Sequence, residues 1–349
     1  MKILFSGYHN SQFMTITEYI EEAIKALGHD LVVFDDREHI IPGRIRRRVT
    51  WLDKADVSHI NRNMLSIAVR EKPKIAIITG GHRIAGSTIE ELKELGVLTV
   101  LWTIDPPLDF DPVIKAAPLY DHIFCQGTEA IELLDRAGIK GAKWLPMGCD
   151  PEQHRPVELS DEEKGHYAND IVFVGSYYPE RAHLFERLTG FDFGIWGPGW
   201  EQLDKKSSLG GHIRGAHTKP SDWVKIYGAT KIVLATHYHG LGNSFPVYQA
   251  SPRIFEAMAC GAFVISDDQK DVFSLFKEGE HLVRFTDSDD LVAKVIYYLD
   301  HALEREEVAR QGRTEVINNH TYVQRIEKLL SIANQTKQGN VQEESPAHR

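Results

Sequence analysis

The feature that most restricts this chain is its alternation of short apolar runs with amphipathic segments. In the first half the runs cover residues 2–6, 31–34, 74–79, 98–103 and 122–125. Each is too short for a stable helix and too continuously apolar for a sheet with one face in water, so each reads as a strand buried on both faces. Ile16, Ile20, Ile24 and Leu27 recur at helical spacing in a segment running from about residue 13 and stopped by Gly28, and Ser87 with Glu90 predicts a capping box for a helix ending near Gly96. Strands alternating with helices build βαβ units, hence a parallel sheet with right-handed crossovers.

A polar stretch over residues 148–168 interrupts this pattern and reads as an interdomain linker. The alternation then restarts, with strands expected at 170–175, 193–196, 232–235 and 262–266 and helices at 179–188, 221–228 and 253–260. Leu291, Val295, Leu299 and Leu303 mark a further helix, and residues 322–333 a last one. With 349 residues there is room for two doubly wound α/β domains, expected at 1–164 and 165–334, followed by a disordered polar tail at 335–349. Such domains place ligands at the carboxyl ends of their strands.

The formal net charge of −10 argues against a general nucleic-acid binder, which needs a surplus of Lys and Arg. Three widely spaced cysteines, Cys125, Cys149 and Cys260, form neither a disulfide framework nor a thiolate zinc site, and they suit a reducing compartment. No run approaches the roughly 20 apolar residues of a membrane span, and the first residues lack a signal-peptide core, so a cytoplasmic location is expected.

The first strand-to-helix turn, Ser6-Gly7-Tyr8-His9-Asn10-Ser11, carries one glycine instead of GxGxxG, and no Walker A pattern is present. Hydride transfer on a dinucleotide and P-loop phosphoryl transfer are therefore disfavoured. The most informative stretch is 251–266, which offers a helix start with Arg253 in its first turn, Glu256 further in, a glycine stop and a buried strand. Amides and a guanidinium at a helix start suit a diphosphate, and a nearby carboxylate suits ribose hydroxyls. An ordinary i, i+3 surface ion pair between Arg253 and Glu256 fits the spacing equally well. In the first half, His9, His82 and Asp105 fall at strand ends; His82 beside Gly80-Gly81 and Asp105 before Pro106-Pro107 are catalytic candidates, to act as general base or to orient an acceptor hydroxyl, and each fits a plain turn role too.

"RIFEAMACGAFVIS" resembles the donor-site helix of GT-B glycosyltransferases, specifically the group-1-like transferases of the spore-maturation CgeB type, relatives of the retaining family 4 enzymes. "DIVFVGSYYPERAHLFERL" is similar to the opening strand, glycine turn and basic residue of their C-terminal domain, "LPMGCDPEQHRP" to their linker, and "WTIDPP" to an N-domain strand end. The resemblance implies a GT-B fold, two Rossmann-like domains facing across a cleft. It implies that Glu256 holds the donor ribose, while Arg253 and the helix amides, including those of Ile254 and Phe255, approach the diphosphate. Gly175, Ser176 and Arg181 would meet the same phosphates, Arg181 also stabilising the departing diphosphate. By their place before the strand at Ile232, Tyr227 and Lys231 are candidates to line the nucleotide site, and Tyr227 fits helix packing as well. One departure is plain: where many retaining relatives carry Glu-x7-Glu, this chain has Tyr248 eight residues before Glu256.

The expectation is a metal-independent, retaining glycosyltransferase that uses a nucleotide-diphosphate sugar as donor and no cofactor. A non-catalytic two-lobed nucleotide-sugar binder and a GT-B sugar-nucleotide epimerase remain open beside it. The pairs Asp35-Asp36 and Asp267-Asp268 read as solvated turns, and His237-Tyr238-His239 with His212 and His217 as chance groupings among 17 histidines rather than a metal site. Arg44, Arg46, Arg47 and Arg48 read as a solvated face, or, more sharply, as a patch for an anionic acceptor.

Overall fold

The structure, a computed structural model, describes residues 1–10, 14–38, 48–105, 107, 110–216, 219–237 and 246–343. Arg44, Arg46 and Arg47 lie outside these residues, as do His217, Tyr238 and His239; Arg48 is exposed. The chain forms two compact units, one of Met1–Pro146 with Tyr322–Arg349 and the other of Met147–Thr321.

The first unit is built on a six-stranded parallel sheet of order β2-β1-β3-β4-β5-β6. Its strands are β1 (Lys2–Gly7), β2 (Asp30–Asp35), β3 (Ile75–Thr79), β4 (Leu98–Thr103), β5 (His122–Cys125) and β6 (Lys143–Trp144). β3 and β5 are buried at every position, as the unbroken apolar runs require. Helix α1 (Ile16–Ala26) starts later than residue 13, because Thr15 and Glu18 form its capping box. The box predicted at Ser87 and Glu90 does not form. The helices α2 (Thr50–Glu71) and α3 (Gly86–Glu94) meet instead at Asn61, whose Oδ1 accepts from the Ala85 amide and the Thr88 hydroxyl, each at 2.8 Å. A buried side chain from another helix thus does the work expected of a local serine. Helices α4 (Asp111–Ala116) and α5 (Thr128–Arg136) complete the crossovers.

The second unit holds a six-stranded parallel sheet of order β12-β11-β10-β7-β8-β9. These are β7 (Asn169–Val174), β8 (Phe193–Trp196), β9 (Ile213–Gly215), β10 (Thr230–Ala235), β11 (Val264–Asp267) and β12 (Val283–Phe285). Its helices are α6 (Asp161–Tyr167), α7 (Pro179–Phe185), α8 (Pro220–Ala229), α9 (Pro252–Ala259), α10 (Lys270–Leu275), α11 (Ser288–Asp300) and α12 (Ala302–Asn319). The core is aromatic, with Phe173, Phe193 and Trp200 each packed on the ring of Phe185.

Two boundaries differ from the sequence reading. The units part at Pro146/Met147, inside the "LPMGCDPEQHRP" segment, whereas the polar stretch up to residue 164 belongs to the second unit. That stretch carries its own helix, α6, capped by Ser160 and Glu163 and tied to α8 by the Lys225–Glu163 ion pair at 2.7 Å. The last helix, α13 (Tyr322–Glu343), returns to the first unit and runs past residue 334. Tyr322 stacks on Tyr19 at 6.2 Å between ring centroids, and Arg325 Nε donates to the Pro146 carbonyl at 2.8 Å.

Candidate functional site

In the second sheet the direction of strand progression reverses between β7 and β10, and a doubly wound sheet opens a ligand crevice at the carboxyl side of such a reversal. Gly175, Ser176 and Arg181 follow β7, and Thr236 and His237 follow β10. Gly175, Ser176, Arg181 and His237, together with Ser251, Pro252 and Arg253 at the start of α9, line a cavity of about 230 Å³, with Thr236 buried behind them.

Arg181 sits in the first turn of α7, where Pro179 takes a position at which its missing N–H costs nothing. Its guanidinium is spread over three acceptors: Nε donates to Thr236 Oγ1 at 3.1 Å, Nη1 to the Ser176 carbonyl at 2.8 Å and Nη2 to the Thr236 carbonyl at 2.9 Å. Arg253 reaches the same carbonyl through Nη1 at 3.2 Å and the Val174 carbonyl through Nε. Both guanidiniums lie against the ring of Phe173, at 5.1 Å and 4.8 Å from its centroid. Neither arginine has an ion pair among the described residues: two cations stand side by side, and the carboxyl groups of Asp267, Glu256 and Glu180 act on them only from beyond ion-pair distance. Burial and the neighbouring Arg253 push the proton affinity of Arg181 down to about 9, still cationic at neutral pH. Burial lowers that of Arg253 as well. A guanidinium has five N–H donors, of which Arg181 spends three and Arg253 two on these contacts. The rest are available to an anion in the cavity.

Arg253 and Glu256 do not form the i, i+3 surface ion pair that their spacing allows. The arginine turns to backbone carbonyls, and Glu256 is only 7% exposed, with no hydrogen bond or ion pair among the described residues. Burial raises its carboxyl to about 7, against a smaller opposing effect of Arg253. Such a group costs stability unless a ligand uses it.

Gly175 is required for contact. A Cβ there would stand 2.3 Å from Arg253 Nη2, and one on Gly197 would stand 2.4 Å from the Gly175 carbonyl oxygen. The Trp196-Gly197-Pro198-Gly199-Trp200 turn clamps this loop: the Trp200 indole donates to the Gly175 carbonyl at 3.0 Å and the Tyr177 amide to the Pro198 carbonyl at 2.9 Å. Ser176 is exposed at the cavity, and the Ser251 hydroxyl makes no cap bond to the helix amides.

The remaining residues singled out in the sequence are dispersed. Ile254 and Phe255 put fully buried side chains into the core, and the Ile254 amide is spent on the Ser251 carbonyl at 3.0 Å. Tyr227 is buried near Glu256 rather than lining the cavity, and its hydroxyl is raised by burial and by that carboxylate. Lys231 pairs with Asp170 at 2.7 Å at the amino ends of β10 and β7. His82 and Asp105 are exposed at the carboxyl ends of β3 and β4 in the first unit. His9 Nε2 lies 2.6 Å from Glu21 in that unit.

In each aspartate pair one member departs from the solvated-turn reading, while Asp35 is half-buried and Asp268 exposed. Asp36 is 6% exposed and burial raises it to about 6, while Asp267 is 7% exposed and bonded to His237. Thr236, His237 and Asp267 are the site residues that sequence reasoning missed. Among the described residues no group of three or more His, Cys, Asp or Glu could hold a metal ion, and no helix is long and apolar enough to cross a membrane.

Residues 181–331 match the family described as "Glycosyl transferase-like". The spore protein CgeB of Bacillus subtilis (strain 168) is 24% identical over 275 residues, covering 75% of this chain and 83% of that protein. The glycosyltransferase from Rickettsia africae superimposes with a TM-score of 0.67 at 14% identity, covering 96% of this chain and 98% of that one. Anabaena HepE, solved in complex with UDP-glucose, gives 0.65 at 12% identity, covering 96% and 100%. The chain has the two-sheet fold of these glycosyltransferase structures, and in sequence it is similar to the glycosyl transferase-like family over residues 181–331 and to CgeB over most of its length.

Proposed function

We propose that the chain moves a glycosyl group from a nucleoside-diphosphate sugar to an acceptor, and that the second unit binds the donor. The observation that carries this is the pair of guanidiniums, Arg181 and Arg253, set on one cavity without a carboxylate partner among the described residues. A diphosphate fits it as a bidentate acceptor of matching charge. Ser176 and Ser251 add hydroxyls at the same wall, and Glu256 accepts from the ribose hydroxyls of the bound nucleotide.

The chemistry follows from that binding mode. As the bond between the anomeric carbon and the diphosphate oxygen breaks, negative charge collects on the departing diphosphate. Two fixed cations in a site of low polarity stabilise that charge more than the ground state, which is what accelerates transfer. We propose on this ground that no divalent cation is needed, and activity retained in a chelator tests it. The retaining outcome rests on the family resemblance, and the anomeric configuration of the product by NMR decides it. Acceptor recognition we assign to the first unit, at the exposed His82 and Asp105.

UDP sugars are the first donors to try, because HepE was solved with UDP-glucose. Incubation with UDP, GDP, ADP and dTDP sugars, with and without candidate acceptors, should release nucleoside diphosphate in an acceptor-dependent way. Binding without release would favour a non-catalytic binder, and conversion of the donor without acceptor would favour an epimerase. Either result would overturn the transferase reading.

A further inference from the structure

The donor cavity contains a histidine that the proposed chemistry does not use. His237 is 5% exposed and its carboxylate neighbour Asp267 is 7% exposed. His237 Nδ1 lies 2.5 Å from Asp267 Oδ1, and the His237 amide donates to Asp267 Oδ2 at 2.8 Å, so one carboxylate holds both the backbone and the ring. On the other side of the ring, the Ser251 amide donates to Nε2 at 3.0 Å. An atom that accepts an N–H carries no proton. The ring is therefore the Nδ1–H tautomer, with Asp267 taking that proton as a hydrogen bond.

Both ring nitrogens are spent, which removes His237 as a general base toward substrate and as a metal ligand. What it does instead is join three elements. Parallel pairing of β10 with β11, with Ala235 opposite Ser266, brings the residues just past the end of β10 alongside Asp267. From there the imidazole spans to Ser251, the N-cap of α9. The preceding residue, Thr236, accepts from Arg181 twice and from Arg253 once. Two adjacent residues thus set both guanidiniums and the start of the helix that carries Arg253 and Glu256.

We propose that His237, locked by Asp267 as the Nδ1–H tautomer, is a positioning residue for the donor site: it fixes the Ser251 end of α9 so that Arg253 and Glu256 meet the nucleotide together. This rests on the donor-binding role proposed above. Through this link, loss of the Nε2 acceptor lets the helix start drift without touching the ligand directly.

The test compares full-length wild type with His237→Phe, His237→Ala and His237→Gln. UDP, GDP, ADP and dTDP binding is measured by calorimetry, and folding is checked by circular dichroism. Phenylalanine keeps the ring volume and removes both hydrogen bonds, so it should weaken nucleotide binding about tenfold or more with the fold intact. Glutamine restores an acceptor for the Ser251 amide and should recover most of that loss. Phenylalanine binding as wild type does, or rescuing better than glutamine, would mean a packing role and overturn the proposal. Imidazole 15N spectroscopy of the ligand-free protein gives a reading independent of nucleotide. It should show His237 with Nδ1 protonated and Nε2 bare, and a protonated Nε2 would overturn the tautomer assignment. If wild type binds none of the four nucleotides, the donor-site reading falls and the positioning role with it, while the spectrum still decides whether the Asp267–His237–Ser251 link exists.

Discussion

Glu256→Gln separates what the site costs the fold from what it gives to binding. Burial raises the Glu256 carboxyl from 4.5 to about 7, so the folded unit holds its proton more tightly than the unfolded chain does. Below 4.5 the carboxyl is protonated in both states and costs nothing. As pH rises toward 7 the unfolded chain ionises freely while the folded one resists, and stability falls until the full cost is reached above 7. At about 1.4 kcal/mol for each tenfold in proton affinity, the cost is about 3 kcal/mol. Glutamine has nearly the same shape and never ionises. Ligand-free Glu256→Gln should therefore match wild type at pH 5 to within about 1 kcal/mol and exceed it at pH 8.5 by about 3 kcal/mol, roughly 6–12 °C in the melting of a domain of this size. Nucleotide binding should move the other way. A carboxylate accepts from two ribose hydroxyls better than its protonated form, so wild-type affinity rises with pH through about 7, while that of the variant stays flat and about tenfold weaker. The assays are thermal unfolding and calorimetry at both pH values. Parallel stability curves for the two proteins would refute the argument, since Glu256 would then carry no cost of burial.

Gly175→Ala places a methyl 2.3 Å from Arg253 Nη2, so that guanidinium must move. Gly175 also holds φ +157°, which strains an L side chain, so melting should fall as well; nucleotide binding should drop at least tenfold, and unchanged affinity would place the arginine outside the binding surface. In the first unit, Asn61→Ala removes bonds to the Ala85 amide, the Thr88 hydroxyl and the Arg83 carbonyl, and should lower stability by about 2 kcal/mol without touching nucleotide affinity. Equal melting temperatures would refute that account of how α3 starts.

The central strands were legible because burial on both faces leaves a continuous apolar run, and β4, β5 and β8 fall on the residues expected. The edge strands β9 and β12 are three residues each, too short to show a pattern. Helix α12 was missed because its sequence is charged nearly all round. It packs through a narrow stripe of Val308, Ala309, Gly312 and Val316, with Gly312 pressed against the His281 carbonyl, where a Cβ would stand at 2.2 Å. The site divides in the same way. Arg253 and Glu256 were readable because their helix has a clear start, a glycine stop and a buried strand directly after it, and Arg181 because the segment after β7 carries the family resemblance. His237 and Asp267 are 30 positions apart, and only the register of two parallel strands joins them. Nothing local in the sequence marks either one, and the run of histidines around residue 237 reads as noise until the sheet is assembled.

The most direct test of the account is calorimetric titration of wild type and of a folded Arg181→Met, Arg253→Met double variant with UDP, GDP, ADP and dTDP. The account predicts that wild type binds at least one of them and that the double variant, lacking both guanidiniums, binds it at least a hundredfold more weakly. Equal affinity in the two proteins, or no binding by wild type to any of the four, would contradict it.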